Sequence, residues 1–252
     1  MFAQGLAFSF LRTRNMRDWS PVMGLPLWVW LFVVPTVFGL ICLFAGHRIE
    51  PFLRPIWRFL DKVYVAGGVV AACFMIIVLG LIVAGMIGRW SSTPMPDTNA
   101  FAGYAMAAMS FFGLAYALTK GSHIRVSIGL NVNAFLNRWL DVFATLVAAM
   151  IATYFARYAY LFNVESELIN DRTQHQDRIP MWLDAGLRAL GSNPSDWAET
   201  LGKASTEMIY TPVWIPQIPM TVGAVILAIA LWDTLYRTLV QGKSPISSEM
   251  VE

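Results

Sequence analysis

Charge is what this chain has least of. Of its 252 residues only 13% are Asp, Glu, Lys or Arg, where an ordinary soluble domain carries about 25%. The net charge of +2 is too small to point to nucleic acid. Cysteine is scarce too. Cys42 and Cys73 fall in different apolar runs, so both read as buried, inert thiols and not as a disulfide framework. The three histidines, His47, His123 and His175, lie in linkers, far apart, with no cysteine or paired carboxylate at a metal-like spacing. A membrane haem would want histidines inside the spans. The P-loop of an ATPase is missing, and Ser, His and Asp nowhere group as a nucleophile elbow. These absences argue against an enzyme and predict no cofactor and no metal in the chain. The first twenty residues place their basic side chains after the apolar stretch, which is the wrong order for a secretory signal.

What the chain has is apolar length. Hydrophobic residues make up 57% of it. Apolar segments cover 27–46 (interrupted by Pro35), 63–88, 100–118, 140–161 and 213–235. Each is close to the roughly 20 residues that a bilayer-spanning helix needs. Helices are expected, because an α-helix satisfies its own backbone groups in lipid. The predicted fold is an all-α integral membrane protein. A four-helix transmembrane core occupies 63–240. An extra N-terminal hydrophobic helix covers 27–46, an interfacial amphipathic helix 47–62, and a tail 241–252.

The linkers differ in sign. Segment 47–62 carries Arg48, Arg54, Arg58 and Lys62, with Phe52, Ile56, Trp57, Phe59 and Leu60 near one helical face, as an interfacial helix would. Loop 119–138 carries Lys120, Arg125 and Arg138 and no acid. Loop 163–211 has eight acids against four Lys or Arg, and two short amphipathic stretches, RIPMWLDAGLRAL and NPSDWAETLGKA. Asn193 is the expected N-cap of the second, with Pro194 at its first helical position. The positive-inside rule sends the two basic linkers and the tail to the cytoplasm, and the 89–99 link and the acidic loop outside. For segment 27–46 the rule favours a dip and return, which keeps Arg12, Arg14 and Arg17 inside. Length favours crossing, and crossing is the expectation. A weak internal echo pairs PLW…PTVFG at 26–39 with PVW…PMTVG at 212–223.

Small residues recur at helical spacing: Gly80, Ala84 and Gly88; Gly103, Ala107, Ser110, Gly113 and Ala117; Ala144, Ala148, Ala152 and Ala156. Such stripes let helix backbones approach closely in lipid, within the chain or with another subunit. Ionisable residues inside the spans, the usual pointers to transport chemistry, are few. Arg157 lies among Tyr154, Tyr158 and Tyr160 and reads as a snorkelling interface anchor; Arg89, Trp90, Trp214, Trp232 and Arg237 are the other expected interface anchors. Asp233 and Arg237 read as an i,i+4 ion pair at the cytoplasmic interface, near Trp232 and Tyr236. With no midplane carboxylate or broken-helix pair, the chain alone does not read as a complete transporter.

The ordered set GRW, FAGY, FFGLAYALTKGSHIRV, LNRWLDVF and TPVWIPQIPMTVG resembles the small membrane subunit (DctQ family) of TRAP, or tripartite ATP-independent periplasmic, transporters. The matching positions are Arg89 and Trp90 at a helix end, Phe111–Gly113, the loop motif Gly121, His123, Ile124, Arg125 and Val126, and Pro212, Trp214, Pro216 and Pro219 at the opening of the last helix. Where the family often has acids, this chain has Asn99–Ala100 and Ser127. The resemblance covers about 63–240. It implies a scaffold subunit of a secondary-active, Na⁺-coupled transporter in the bacterial inner membrane. A large membrane subunit would hold the substrate and Na⁺ sites, and a periplasmic solute-binding protein would deliver an organic acid anion. A few-helix membrane anchor of a respiratory or redox complex is the alternative. His123 is expected to be structural, within a turn that fixes orientation and subunit fit. The acidic loop is either a docking surface for the binding protein or a lid over helix ends.

Overall fold

A computed structural model describes residues 19, 21–93, 98–120, 134–173, 177–202 and 204–241. Among them, five helical segments are long and apolar enough to cross a membrane: Val29–Gly46, Arg48–Trp90, Thr98–Thr119, Trp139–Ile169 and Trp214–Val240. The chain is an all-α, multi-pass membrane protein.

A short hairpin, β1 (Pro21–Val22) with β2 (Leu25–Pro26), precedes the first span. Its turn holds Met23 and Gly24 at φ of 54° and 84°, the left-handed geometry that matches a hairpin's twist. The Trp30 indole N–H donates to the Val22 carbonyl at 3.1 Å and ties the hairpin to the helix start. The first helical turns, Val29–Val33, are π-type. Pro35 supplies the reason: it has no N–H for the Leu31 carbonyl. The helix widens there, and the Thr36 hydroxyl takes the Phe32 carbonyl at 2.6 Å.

Helix α1 runs from Val34 to Trp90, 57 residues, bent once at Ala45 (φ −120°, ψ 17°). Helix α2 is Thr98–Thr119, and α3 is Ala134–Ile169. Two short helices, α4 (Met181–Gly191) and α5 (Trp197–Gly202), lie in the long loop, and α6 is Trp214–Gln241. Before its bend α1 runs beside α6 in the same direction, towards the end that carries the basic segment 48–62; this is called the inner end, after the side to which the positive-inside rule assigns it. The Tyr236 hydroxyl donates to the Pro35 carbonyl at 3.1 Å, and a Cβ on Gly46 would sit 3.3 Å from the Val240 Cα. After the bend, residues 48–62 lie at that inner end and 63–90 cross back against α2. Segments 47–62 and 63–88 are therefore one continuous helix, not an interfacial helix followed by a separate span. Pro51 and Pro55 sit in the interfacial part, where water and headgroups can satisfy the carbonyls they leave without a donor.

Helix α6 is the hub. Half of the residues along its apolar crossing stretch are buried, against about a tenth along that of Arg48–Trp90. It meets α3 through the Trp232 indole N–H donating to Thr153 Oγ1 at 2.9 Å and the Asn163 amide donating to the Trp214 carbonyl at 2.9 Å. It meets α2 at Gly223, where a Cβ would lie 2.7 Å from the Phe111 Cβ. The centre is built from small side chains: Cys42, Ala115, Ala149, Ala224 and Ala230 are all buried. Cys42 is buried as expected, but Cys73 is exposed, because it lies on the side of α1 turned away from α2. The two echoing stretches open helices that lie side by side and run the same way.

Candidate functional site

At the inner end a charged knot joins α1 to α6. Residues 57, 61 and 64 fall on one face of α1, so Trp57, Asp61 and Tyr64 reach α6 together. Arg237 Nε donates to Asp233 Oδ2 at 3.1 Å; its Nη2 donates to Asp61 Oδ1 at 2.7 Å and to the Trp57 carbonyl at 3.3 Å. The Tyr64 hydroxyl donates to the same Asp233 oxygen at 3.2 Å. The guanidinium lies 5.4 Å from the Trp57 ring centre. Asp233 and Tyr64 are buried, so each group's partners replace the water it has lost. The i,i+4 pair anticipated between Asp233 and Arg237 is present. Arg237, however, is drawn into the protein and does not reach out to headgroups as an interface anchor. The α1 partners carried no sequence signal, because nothing in a sequence says which helix faces Asp233.

At the outer end, the acidic loop is a folded cap. Asp177 is fully buried. Its Oδ2 accepts from the Tyr104 hydroxyl at 2.8 Å and the Thr173 hydroxyl at 2.9 Å, and its carbonyl accepts from the Thr211 N–H at 3.1 Å. Strand β3 (Arg178–Pro180) pairs antiparallel with β4 (Met208–Tyr210). On α4, Asp184 holds Arg188 at 3.0 Å, and Arg188 lies over the Trp214 ring at 5.2 Å. Two of the loop's acids, Asp177 and Asp184, are thus buried inside the cap and are not part of an acidic surface. Asn193 does sit before Pro194 at the expected start, but a 3₁₀ turn intervenes before α5 and its side chain makes no capping bond. Trp182, Leu190, Trp197 and Leu201 stay exposed on the cap.

The third surface is the outward side of α1. No charged residue occurs between Val63 and Gly88, and Val69, Met75, Ile76, Leu79 and Ile82 are exposed there. Residues Phe52, Ile56 and Phe59 continue this exposed side at the inner end, whereas Leu53 and Trp57 turn into the bundle. The apolar face expected of segment 47–62 is therefore split between lipid and protein.

The small-residue positions divide the same way. Gly88, Ala152 and Ala156 are buried; Ala84, Ala107 and Ala148 are half-buried, and Gly113 meets Ala71. Gly80 and Gly103 open outward, with nothing among the described residues within 4 Å of an added Cβ, so they pack against none of the described helices. The closest approaches use glycines outside those stripes. A Cβ on Gly68 would lie 2.8 Å from the Tyr116 ring, and one on Gly85 would lie 2.9 Å from Thr98 Oγ1. The Gly67–Gly68 doublet was the available signal.

Among the anchors, Arg89 donates to the Gly85 carbonyl at 3.3 Å and Trp90 is exposed at the helix end. Arg157 lies 4.1 Å from the Trp19 ring centre. Trp214 and Trp232 are buried, which corrects their assignment as headgroup anchors: α6 is enclosed by its neighbours, so its indoles pack inside. The loop motif Gly121, His123, Ile124, Arg125 and Val126 lies outside the described residues, as do Ser127, His175, Arg12, Arg14, Arg17 and the tail 242–252.

Residues 78–192 match the family model described as "Tripartite ATP-independent periplasmic transporters, DctQ component". The matched stretch takes in residues 78–90 at the end of α1, all of α2 and α3, and the cap through α4. It stops short of α6 and leaves out the first span. Neither a curated protein nor a solved structure matches the chain.

Proposed function

We propose that the chain, which matches the DctQ family model over residues 78–192, is a DctQ-type small membrane subunit of a TRAP transporter and acts as a static brace for the large membrane subunit. The observation that carries this reading is the outward side of α1. It is long, apolar and uncharged, and it holds a glycine, Gly80, with open space in front of it. A helix that offers a glycine to open space lets a partner backbone come close. In this division of labour the large subunit holds the substrate and Na⁺ sites, so the brace needs no ionisable group at mid-membrane. A periplasmic binding protein delivers an organic acid anion to the outer face, where the cap presents Trp182, Trp197 and the acids Asp196 and Glu207.

The test is recovery of the large subunit on a tagged small subunit. Gly80→Phe should lower recovery about tenfold, the loss of one close helix contact, and leave the thermal unfolding of the isolated chain unchanged. Unchanged recovery with Gly80→Phe and with Ile76→Trp would remove the α1 face from the interface. For the cap, Asp196→Lys with Glu207→Lys leaves Asp177 and Asp184 in place. This pair should weaken binding-protein affinity, and equal affinity would return the cap to a purely covering role.

A further inference from the structure

The inner segment 48–62 of α1 sorts its side chains into rows. Leu53 and Trp57 are buried, and Leu60 packs on the same cluster. Phe52, Ile56 and Phe59 form an exposed apolar row. Arg54, Arg58 and Lys62, each four residues from the next, form an exposed basic row. Lys62 lies three residues past Phe59, so the two exposed rows adjoin there.

The segment contains two acids, Glu50 and Asp61, and both are engaged. Glu50 accepts from Arg54 at 3.1 Å, and Asp61 accepts from Arg237 on α6 at 2.7 Å. Arg58 and Lys62 pair with no acid among the described residues, and neither does Arg48 at the start of the segment. Outside the described residues, segment 121–133 contains no acid, and the tail 242–252 contains Glu249 and Glu252. Asp18, the acid among residues 1–18, precedes Trp19, which meets Phe32 at the outer end.

Beyond Lys62 the helix carries no charge as far as Gly88. Arg58 and Lys62 therefore mark the level at which α1 enters the hydrocarbon. A soluble anion would match these cations and leave Phe52, Ile56 and Phe59 bare. An uncharged lipid would cover the apolar row and leave the cations without a counter-charge. A molecule with an anionic head and an apolar tail satisfies both rows at once.

We propose that Arg58 and Lys62 hold the phosphate of an anionic phospholipid of the inner leaflet, with an acyl chain against Phe59 and Ile56. Glu50 keeps Arg54 out of the site. The lipid fixes the depth of α1 beside Pro51 and Pro55, and its contacts lie outside the matched segment 78–192.

The experiment places the photoreactive residue p-benzoylphenylalanine at Phe59 in the full chain. The chain is reconstituted in vesicles of phosphatidylethanolamine and phosphatidylglycerol in equal parts, and mass spectrometry identifies what light joins to position 59. Phosphatidylglycerol adducts should exceed phosphatidylethanolamine adducts about thirtyfold, as two cations beside an anionic head imply. Arg58→Gln and Lys62→Gln should each lower that ratio about fivefold, and the double variant should bring it to parity. Glu50→Gln should raise it, because Arg54 then joins the site. Thermal unfolding like that of the wild type shows that these exposed substitutions leave the fold intact. Removing 242–252 should leave the ratio unchanged. Parity in the wild type, or an excess that survives the double variant, would overturn the proposal. So would adducts to the tail, or to the large subunit in the intact transporter, in place of lipid. Inorganic phosphate should erode the excess no more than chloride does at equal ionic strength; a larger loss would assign the cations to a soluble anion.

Discussion

Helices α1 and α6 cross the same membrane, and the more apolar of the two is the less buried. About a tenth of the residues along the apolar crossing stretch of Arg48–Trp90 are buried, and half of those along that of Trp214–Val240. In a soluble protein the ranking would run the other way, because apolar surface drives burial there. In lipid it does not, since acyl chains are as apolar as leucine. Close packing and polar contacts decide the centre instead, and α6 has what α1 lacks between Val63 and Gly88. It carries buried Thr221, Thr234 and Thr238, buried Asp233, and the indoles of Trp214 and Trp232. Apolar length marks the outside of this molecule; polarity and small residues mark its middle.

The largest test of that contrast is a pair of glycine substitutions. At Gly223 an added Cβ would meet the Phe111 Cβ at 2.7 Å and its backbone carbonyl carbon at 2.8 Å. Backbone cannot step aside, so Gly223→Val should destabilise by about 3 kcal/mol or more. It should lower the Tm in detergent sharply or abolish recovery of monodisperse protein. Gly80→Val, facing open space, should leave the Tm within the equivalent of about 0.5 kcal/mol. If both variants melt like wild type, α6 is not the hub that holds the bundle.

Nearly as large is the effect expected at Asp233. Asp233→Ala leaves Arg237 and Tyr64, both turned into the protein, without their shared acceptor. Breaking a buried pair by removing one partner costs about 3 kcal/mol. Asp61→Asn removes only a half-exposed partner of Arg237, with Asp61 at 53% and Arg237 at 18% side-chain exposure, and should cost no more than about 1 kcal/mol. Thermal unfolding of the two variants and the double variant gives the coupling directly. Equal losses would mean that burial does not set the worth of these bonds.

The sequence made the spans legible, since length and lack of charge are local properties. The span at 100–118 became Thr98–Thr119 and that at 213–235 became Trp214–Gln241. Where a local signal was weak, the ends moved. Helix α3 runs on to Ile169, past the apolar stretch, until Asn170 at φ 55° ends it. What stayed hidden was which face meets which. Spacing picked Gly80 and Gly103, which open outward, and passed over Gly68 and Gly223, which touch neighbouring helices. A stripe of small residues says that a close approach is possible, and only the partner helix says where it happens. Trp232 shows the same limit: indoles near span ends commonly seek headgroups, but this one found Thr153 first. Within the outer cap, eight acids suggested an acidic surface. Asp177 and Asp184 are instead the residues that fold it.

The cap gives a smaller and more local prediction. Tyr104→Phe takes one of two side-chain donors from the buried Asp177 carboxylate and should cost about 1–2 kcal/mol. The loss should show as faster amide exchange in 177–180 and 208–211, which Asp177 joins through Thr211, with the exchange of α1 unchanged. Exchange spreading equally through α1 would mean that cap and bundle unfold as one unit.

The smallest effect should come from a pair that shares its spacing with Asp233 and Arg237. Arg54 and Glu50 also lie i,i+4 at the inner end, 3.1 Å apart, but their side chains are 65% and 27% exposed. Arg237 and Asp233, at 18% and 5%, have exchanged water for each other; Arg54 and Glu50 have not. Solvent and salt screen the exposed pair, and holding two long side chains in place costs most of what the contact returns. Glu50→Gln should therefore change stability by less than about 0.5 kcal/mol, and adding salt should shrink even that. A loss comparable to that of Asp233→Ala would show that segment 48–62 is held in a far less watery setting than its exposure implies. The inner part of α1 would then belong with α6 among the buried elements.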